Sequence, residues 1–221
     1  IVATTKQWNI DNFERHFGKL KNWHLVTSKE QLDKLDLISL NPAYIFFPHW
    51  SWLVPEQITE NYTCACFHMT DLPYGRGGSP LQNLIVRGHS KTQLSVLKMT
   101  NEIDAGPIYF KRSLSLHGSA QEIFERCSDI CFDAMKELAS SPLTPISQAG
   151  EPTFFERRIP SQSELSNLNS LEQIYDHIRM LDAEGYPPAF VRVGPYKLEF
   201  SRASRNIDSV VADVSIRKVE E

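Results

Sequence analysis

The sequence predicts an α/β protein built on a mostly parallel, twisted sheet and closed by a short helix-strand extension. Three observations lead there. Short apolar runs of β-type composition alternate with helical patterns through the first half of the 221 residues. The helical segments between those runs have the length of about ten to fifteen residues that a parallel crossover needs. Beyond Pro142 the regular alternation stops.

IVATT reads as a short buried strand, and KQWNIDNFERHFGKL after it places Trp8, Phe13, Phe17 and Leu20 at helical spacing. WHLVTS is the second strand, KEQLDKLDLISL one helix, AYIFFPH the third strand, VPEQITENY a short helix and TCACFHM the fourth strand. SPLQNLIVRG reads as a helix with Ser79 as its cap and Pro80 at its first position. QLSVLKMTNEIDAGPIYFKRSLSL carries two β-type runs around an acidic, glycine-containing connection. A long helix from about Ser119 to Ala139 carries an apolar stripe including Phe124, Cys127 and Cys131. SLEQIYDHIRMLDAEGYPPAF is a further amphipathic helix ended by Gly185 and a Tyr-Pro-Pro turn. YKLEF is a last strand, and SVVADVSI an edge strand or tail able to pair with a second copy in a homodimer. The division expected is a core over residues 1–150 and an extension over 151–221 packed on it.

Composition narrows the class. With 41% hydrophobic and 23% charged residues the chain is of ordinary globular make-up. Its 23 Lys and Arg against 27 Asp and Glu leave a net charge of -4, which disfavours nucleic acid as a partner. No run reaches the roughly 18 apolar residues of a membrane span, so the reading is cytoplasmic with no membrane partner. Cys64 with Cys66, and Cys127 with Cys131, lie in apolar patterns and read as small buried hydrophobes, with no metal site.

In a parallel sheet of this kind ligands bind beyond the carboxyl ends of the strands. His49 ends the third strand and His68 the fourth, so both arrive there. GRGGSP, directly after His68, is a glycine-rich loop without the ending of a P-loop or the spacing of a dinucleotide fingerprint. In IDAGP, Asp104 stands just before a turn at Gly106 and Pro107, where its carboxylate can be held against the same strand ends. A neutral imidazole oriented by an aspartate can take a proton from an attacking nucleophile.

These residues carry a resemblance. FHMTDLPYGRGGSP followed by TNEIDAGPIYF, with histidine and aspartate 36 positions apart, resembles the core of the formyltransferases that use 10-formyltetrahydrofolate. His68, Leu72, Pro73, Arg76, Gly77, Pro80, Asp104, Gly106 and Pro107 match the family outline. The resemblance implies a Rossmann-like core, 10-formyltetrahydrofolate as donor, and His68 and Asp104 as catalytic residues. It implies a pterin site on the loop His49, Trp50, Ser51, Trp52, Leu53 and Val54, with Asp104 beside it. Thr70, Asp71, Tyr74, Gly75, Arg76 and Gly77 are the expected substrate-binding residues. One departure stands out: the family asparagine two residues before the histidine is Cys66, and a thiol is a far weaker donor to an oxyanion. Asn83, His49 or a backbone amide are the candidate replacements.

RMLDAEGYPPAFVRVGPYKLEF resembles the closing segment of sugar formyltransferases, whereas methionyl-tRNA formyltransferases continue into a separate basic domain. The expected acceptor is therefore the amine of a nucleotide-linked sugar, such as a 4-amino-4,6-dideoxyhexose, with Arg76, Arg157 and Arg158 toward its diphosphate. The alternatives are an aminoacyl group on a peptide-synthetase carrier protein, water in a hydrolase, and a noncatalytic folate-binding relative.

Overall fold

The computed structural model describes residues 1–219. In chain order the elements are β1 (Val2–Ala3), α1 (Gln7–His16), β2 (Leu25–Val26), α2 (Lys29–Lys34), α3 (Leu37–Leu40), β3 (Ile45–Pro48), α4 (Glu56–Asn61) and β4 (Cys64–His68). Then come β5 (Arg76–Gly77), α5 (Pro80–Ile85), β6 (Lys91–Lys98), β7 (Ile108–Ser115), α6 (Ala120–Ser140) and β8 (Phe154–Phe155). The chain closes with α7 (Leu171–Arg179), β9 (Ala189–Val193), β10 (Tyr196–Arg205) and β11 (Val210–Lys218).

The described residues form two compact units. One comprises Ile1–Gly77, Thr92–Leu114 and Phe124–Phe154; the other comprises Gly78–Lys91, Ser115–Ile123 and the chain from Phe155 onward. The first holds the six-stranded sheet, in the order β2-β1-β3-β4-β6-β7. The pairs β1-β2, β1-β3 and β3-β4 are parallel, and β4-β6 is antiparallel. The strand order reverses beside β1, so the carboxyl ends of β3 and β4 stand next to a topological switch point. Ile1, Ala3, Val26, Leu32, Leu37, Ile45, Phe47 and Cys64 form a buried apolar cluster in this unit. β1 and β3 are buried along their whole length, the continuous apolar run of strands covered on both faces.

The expected single helix over KEQLDKLDLISL is two. Leu35 is extended, and Asp36 starts afresh by accepting a hydrogen bond from Ser39 N. In the second unit Ser79 precedes α5 as expected but is left-handed and makes no cap bond; its Oγ accepts from Arg158 N instead. The second unit also holds a three-stranded antiparallel sheet, β11-β10-β9. Of that sheet β9 went unread, because its five residues lie between the Tyr-Pro-Pro turn and Gly194-Pro195. SVVADVSI is the edge strand β11, paired with β10 from Tyr196↔Lys218 to Arg205↔Val210. Among the described residues no helix is long and apolar enough to cross a membrane.

Candidate functional site

The site in the first unit is built on β4. Alternation along an extended strand puts Cys64, Cys66 and His68 on one face, and the register sets Cys66 opposite Phe47 on β3 and Leu97 on β6. His68 is buried. Its Nε2 lies 2.8 Å from Gly75 O. A carbonyl only accepts, so Nε2 carries the proton and the lone pair of the neutral ring is on Nδ1. Nδ1 faces Asp104 Oδ2 at 3.5 Å. The base atom and the carboxylate that would hold its protonated form therefore lie together.

Asp104 sits at φ +52°, in the left-handed region, which costs a non-glycine residue energy unless its surroundings hold it. Three bonds do. Gly77 N donates to Asp104 Oδ2 at 2.9 Å. Gln148 Nε2 donates to Asp104 O at 2.7 Å and to Gly106 O at 2.9 Å. The turn also runs so close to β6 that a Cβ on Gly106 would lie 1.8 Å from Lys98 O, which is why glycine is needed there.

The glycine loop is equally tied. Gly75, at φ +74°, donates to Thr153 Oγ1 at 2.8 Å while its carbonyl takes His68. Arg76 N donates to Thr153 O, and Arg76 Nε and Nη2 both donate to Gln148 Oε1, at 3.2 and 2.8 Å. Thr70 is buried, with its hydroxyl 3.3 Å from Gly75 O. Asp71 is exposed and paired with Lys111, whose ammonium also donates to Leu72 O at 2.6 Å. Tyr74 N donates to Asp71 O at 3.1 Å. The residues expected around the histidine thus converge, and two expected to face a substrate, Asp71 and Arg76, are engaged within the chain.

The loop after β3 has another character. His49 is at φ +53°, its ring 5.5 Å from Trp8 and 4.7 Å from Phe124. Burial, and secondarily Lys6, pushes its pKa down to about 3, so the ring is neutral at ordinary pH and carries one N–H. Trp50 packs edge-on against Phe47 and Trp52, at 5.8 and 5.1 Å. Its buried indole N–H has no hydrogen-bond partner among the described residues. Val54 packs on the apolar cluster, Ser51 is exposed, and Trp52 and Leu53 are 44% and 79% exposed.

Cys66 is partly buried in this face. Desolvation, then the Asp104 charge, raises its thiol pKa well above the ordinary value, so it stays S–H. Asn83, a candidate substitute for the missing amide, spends its N–H groups in the second unit on Gly78 O, Ser79 O and Glu156 O. Cys127 and Cys131 stand on one face of α6 with sulfurs 4.0 Å apart. Among the described residues no three His, Cys, Asp or Glu side chains cluster as metal ligands. Gln148 and Thr153 were missed in the sequence: they lie in an irregular stretch where nothing local signals which distant loop they bind.

Comparison with known proteins now bears on this geometry. The methionyl-tRNA formyltransferase from Clostridium thermocellum, a solved structure, is 52% identical, with a TM-score of 0.94 over 98% of this chain and 97% of its own. The chain belongs to the methionyl-tRNA formyltransferase family. Residues 160–217 match the family model described as the methionyl-tRNA formyltransferase C-terminal domain. The curated methionyl-tRNA formyltransferase of Sinorhizobium medicae is 28% identical over 166 residues, 71% of this chain and 53% of that protein. The chain spans about half the length of the curated relatives it matches. A 4-N formyltransferase from Francisella tularensis, with a TM-score of 0.67 over all of this chain and 97% of its own, is 14% identical and shares the fold.

Family membership supports the Rossmann-like formyltransferase core and corrects two expectations. The nucleotide-linked amino sugar, with its carrier-protein and noncatalytic alternatives, is overturned by the 52% match to a methionyl-tRNA formyltransferase. The segment Arg179–Phe200, expected to mark a sugar enzyme, lies inside the residues that match the C-terminal domain of the methionyl-tRNA formyltransferase family. The match of residues 160–217 to that C-terminal domain also weighs against the sugar reading. The exclusion of nucleic acid falls with it, since a net charge of -4 sums the whole surface and says little about any one patch.

Proposed function

We propose that this chain transfers the formyl group of 10-formyltetrahydrofolate to the amino group of methionine carried on its tRNA. The observation that carries the reading is the 52% identity to a methionyl-tRNA formyltransferase across 97% of that chain. The folate supplies an activated formyl carbon bonded to N10. The acceptor amine attacks that carbon, a C–N bond forms, and the C–N10 bond breaks. The amine proton leaves and N10 gains one, so a base that becomes an acid is required.

His68 is that group. With Nε2–H held by Gly75 O, Nδ1 removes the amine proton and Asp104 holds the resulting imidazolium before the proton passes to N10. Cys66, as S–H, gives the oxyanion a weak donor where an amide would give a strong one. The residues fit a folate: the orphaned indole N–H of Trp50 and the exposed face of Trp52 suit an aromatic ring with acceptors at its rim. The loop from His49 to Val54 holds the pterin. Thr70, Asp71 and the stretch Tyr74 to Gly77 border the acceptor. Residues 1–150 form the catalytic core and 151–221 its C-terminal extension.

The test incubates the protein with 10-formyltetrahydrofolate and methionyl-tRNA, following tetrahydrofolate release and acid-stable formylmethionyl-tRNA. Both products are expected in equal amounts, with none from uncharged tRNA. Folate release in buffer alone, or no formylated product at any enzyme concentration, overturns the reading.

A further inference from the structure

The stretch from Ile146 to Thr153 has no regular structure beyond one bridge, Ile146 to Ile108, made by two 2.8 Å bonds. Two residues past that anchor stands Gln148, whose side-chain hydrogen-bonding capacity is filled by the site. Arginine has donors only, so its two bonds fix Gln148 Oε1 toward Arg76 and turn Nε2 the other way. Both hydrogens of Nε2 then meet carbonyls on either side of the turn, Asp104 O and Gly106 O. The amide cannot flip without setting N–H against guanidinium and oxygen against two carbonyls.

We propose that Gln148 is a positioning residue for the reaction: it holds Asp104 in its left-handed conformation, and Arg76 keeps the Gln148 amide the right way round. Asp104 Oδ2 is thereby kept on Gly77 N and beside His68 Nδ1. The inference rests on the reading of His68 and Asp104 as the reacting pair. Its energetic sense is pre-organisation, since a misplacement of about 1 Å in such a pair costs about a hundredfold in rate. Gln148 itself touches no reacting atom in this arrangement.

Two variants separate positioning from simple support. Gln148→Glu keeps an acceptor for Arg76, and a charged one, but sets a carboxylate against the Asp104 and Gly106 carbonyls. Gln148→Met keeps the length and loses both functions. In the folded protein, kcat is expected to fall about 10- to 100-fold in each, with the folate KM changed by less than about twofold. Full activity in Gln148→Glu would mean that the residue only holds Arg76, and a KM rise at unchanged kcat would mean that it serves binding; either overturns the proposal. A crystal structure of Gln148→Met decides the same point without activity. Asp104 is expected to leave its left-handed conformation and lose Gly77 N, and an unmoved turn overturns the proposal even if the wild-type protein formylates nothing.

Discussion

Two regions of the first unit meet the same strand ends with opposite chemistry. Around His68 and Asp104 the polar groups are spent on one another: imidazole on a backbone carbonyl, carboxylate on a backbone amide, Gln148 on two carbonyls and an arginine. On the loop after β3 the indole N–H of Trp50 is buried without a partner among the described residues, and the apolar side chains of Trp52 and Leu53 are exposed to solvent. On the proposed function the first region is preset machinery, its geometry held by the chain's own hydrogen bonds. The second is a surface that gains by being covered. Rate should therefore be sensitive to the first, and affinity to the second.

The largest break should come from His68→Ala or Asp104→Ala. Each is expected to lower kcat by about three orders of magnitude or more, with the circular dichroism spectrum unchanged, because proton transfer loses its base or the base loses its counter-charge. Next is Gly106→Ala, where the new methyl would meet Lys98 O at 1.8 Å. A loss of about 3 kcal/mol in urea unfolding is expected, since only backbone movement can relieve the clash. Cys66→Asn restores a strong donor beside His68, and kcat is expected to rise about tenfold, a fraction of what one oxyanion donor is worth elsewhere. An unchanged rate in stopped-flow measurements would mean that another group already fills that role. The smallest effect belongs to the second region. Trp50→Phe should raise the folate KM by about three- to tenfold, leave kcat alone and leave stability equal or slightly higher, because it removes one unpaired buried donor. A fall in kcat at constant KM would erase the distinction between the two regions.

Much of the first region was legible in the sequence. The alternation of CACFH delivers His68 to a strand end, and the positions around Gly75, Gly77 and Gly106 announce a backbone that must bend or approach closely. What stayed hidden acts across long separations. Gln148 lies 44 residues from the turn it clamps, and no local pattern distinguishes it from any polar residue in an irregular stretch. The break between α2 and α3 was hidden because Asp36 reads as one more charged residue on a helix until its capping bond is seen. The acceptor was misjudged for a different reason. A summed charge and a short closing motif were asked to name a partner, and neither measures a local surface.

The bond from His68 to the Gly75 carbonyl has a consequence for mutational mapping. The atom that selects which imidazole nitrogen is free belongs to the main chain, so a side-chain scan passes over it. At Gly75, with φ at +74°, a substitution would report backbone strain instead of the lost acceptor. The tautomer is thus encoded as a permission for the chain to turn. Chemistry on the peptide link itself would reach it: an ester in place of the Gly75-Arg76 amide weakens the carbonyl as an acceptor, and a Thr153 ester control accounts for the Arg76 N–H to Thr153 O bond lost with it.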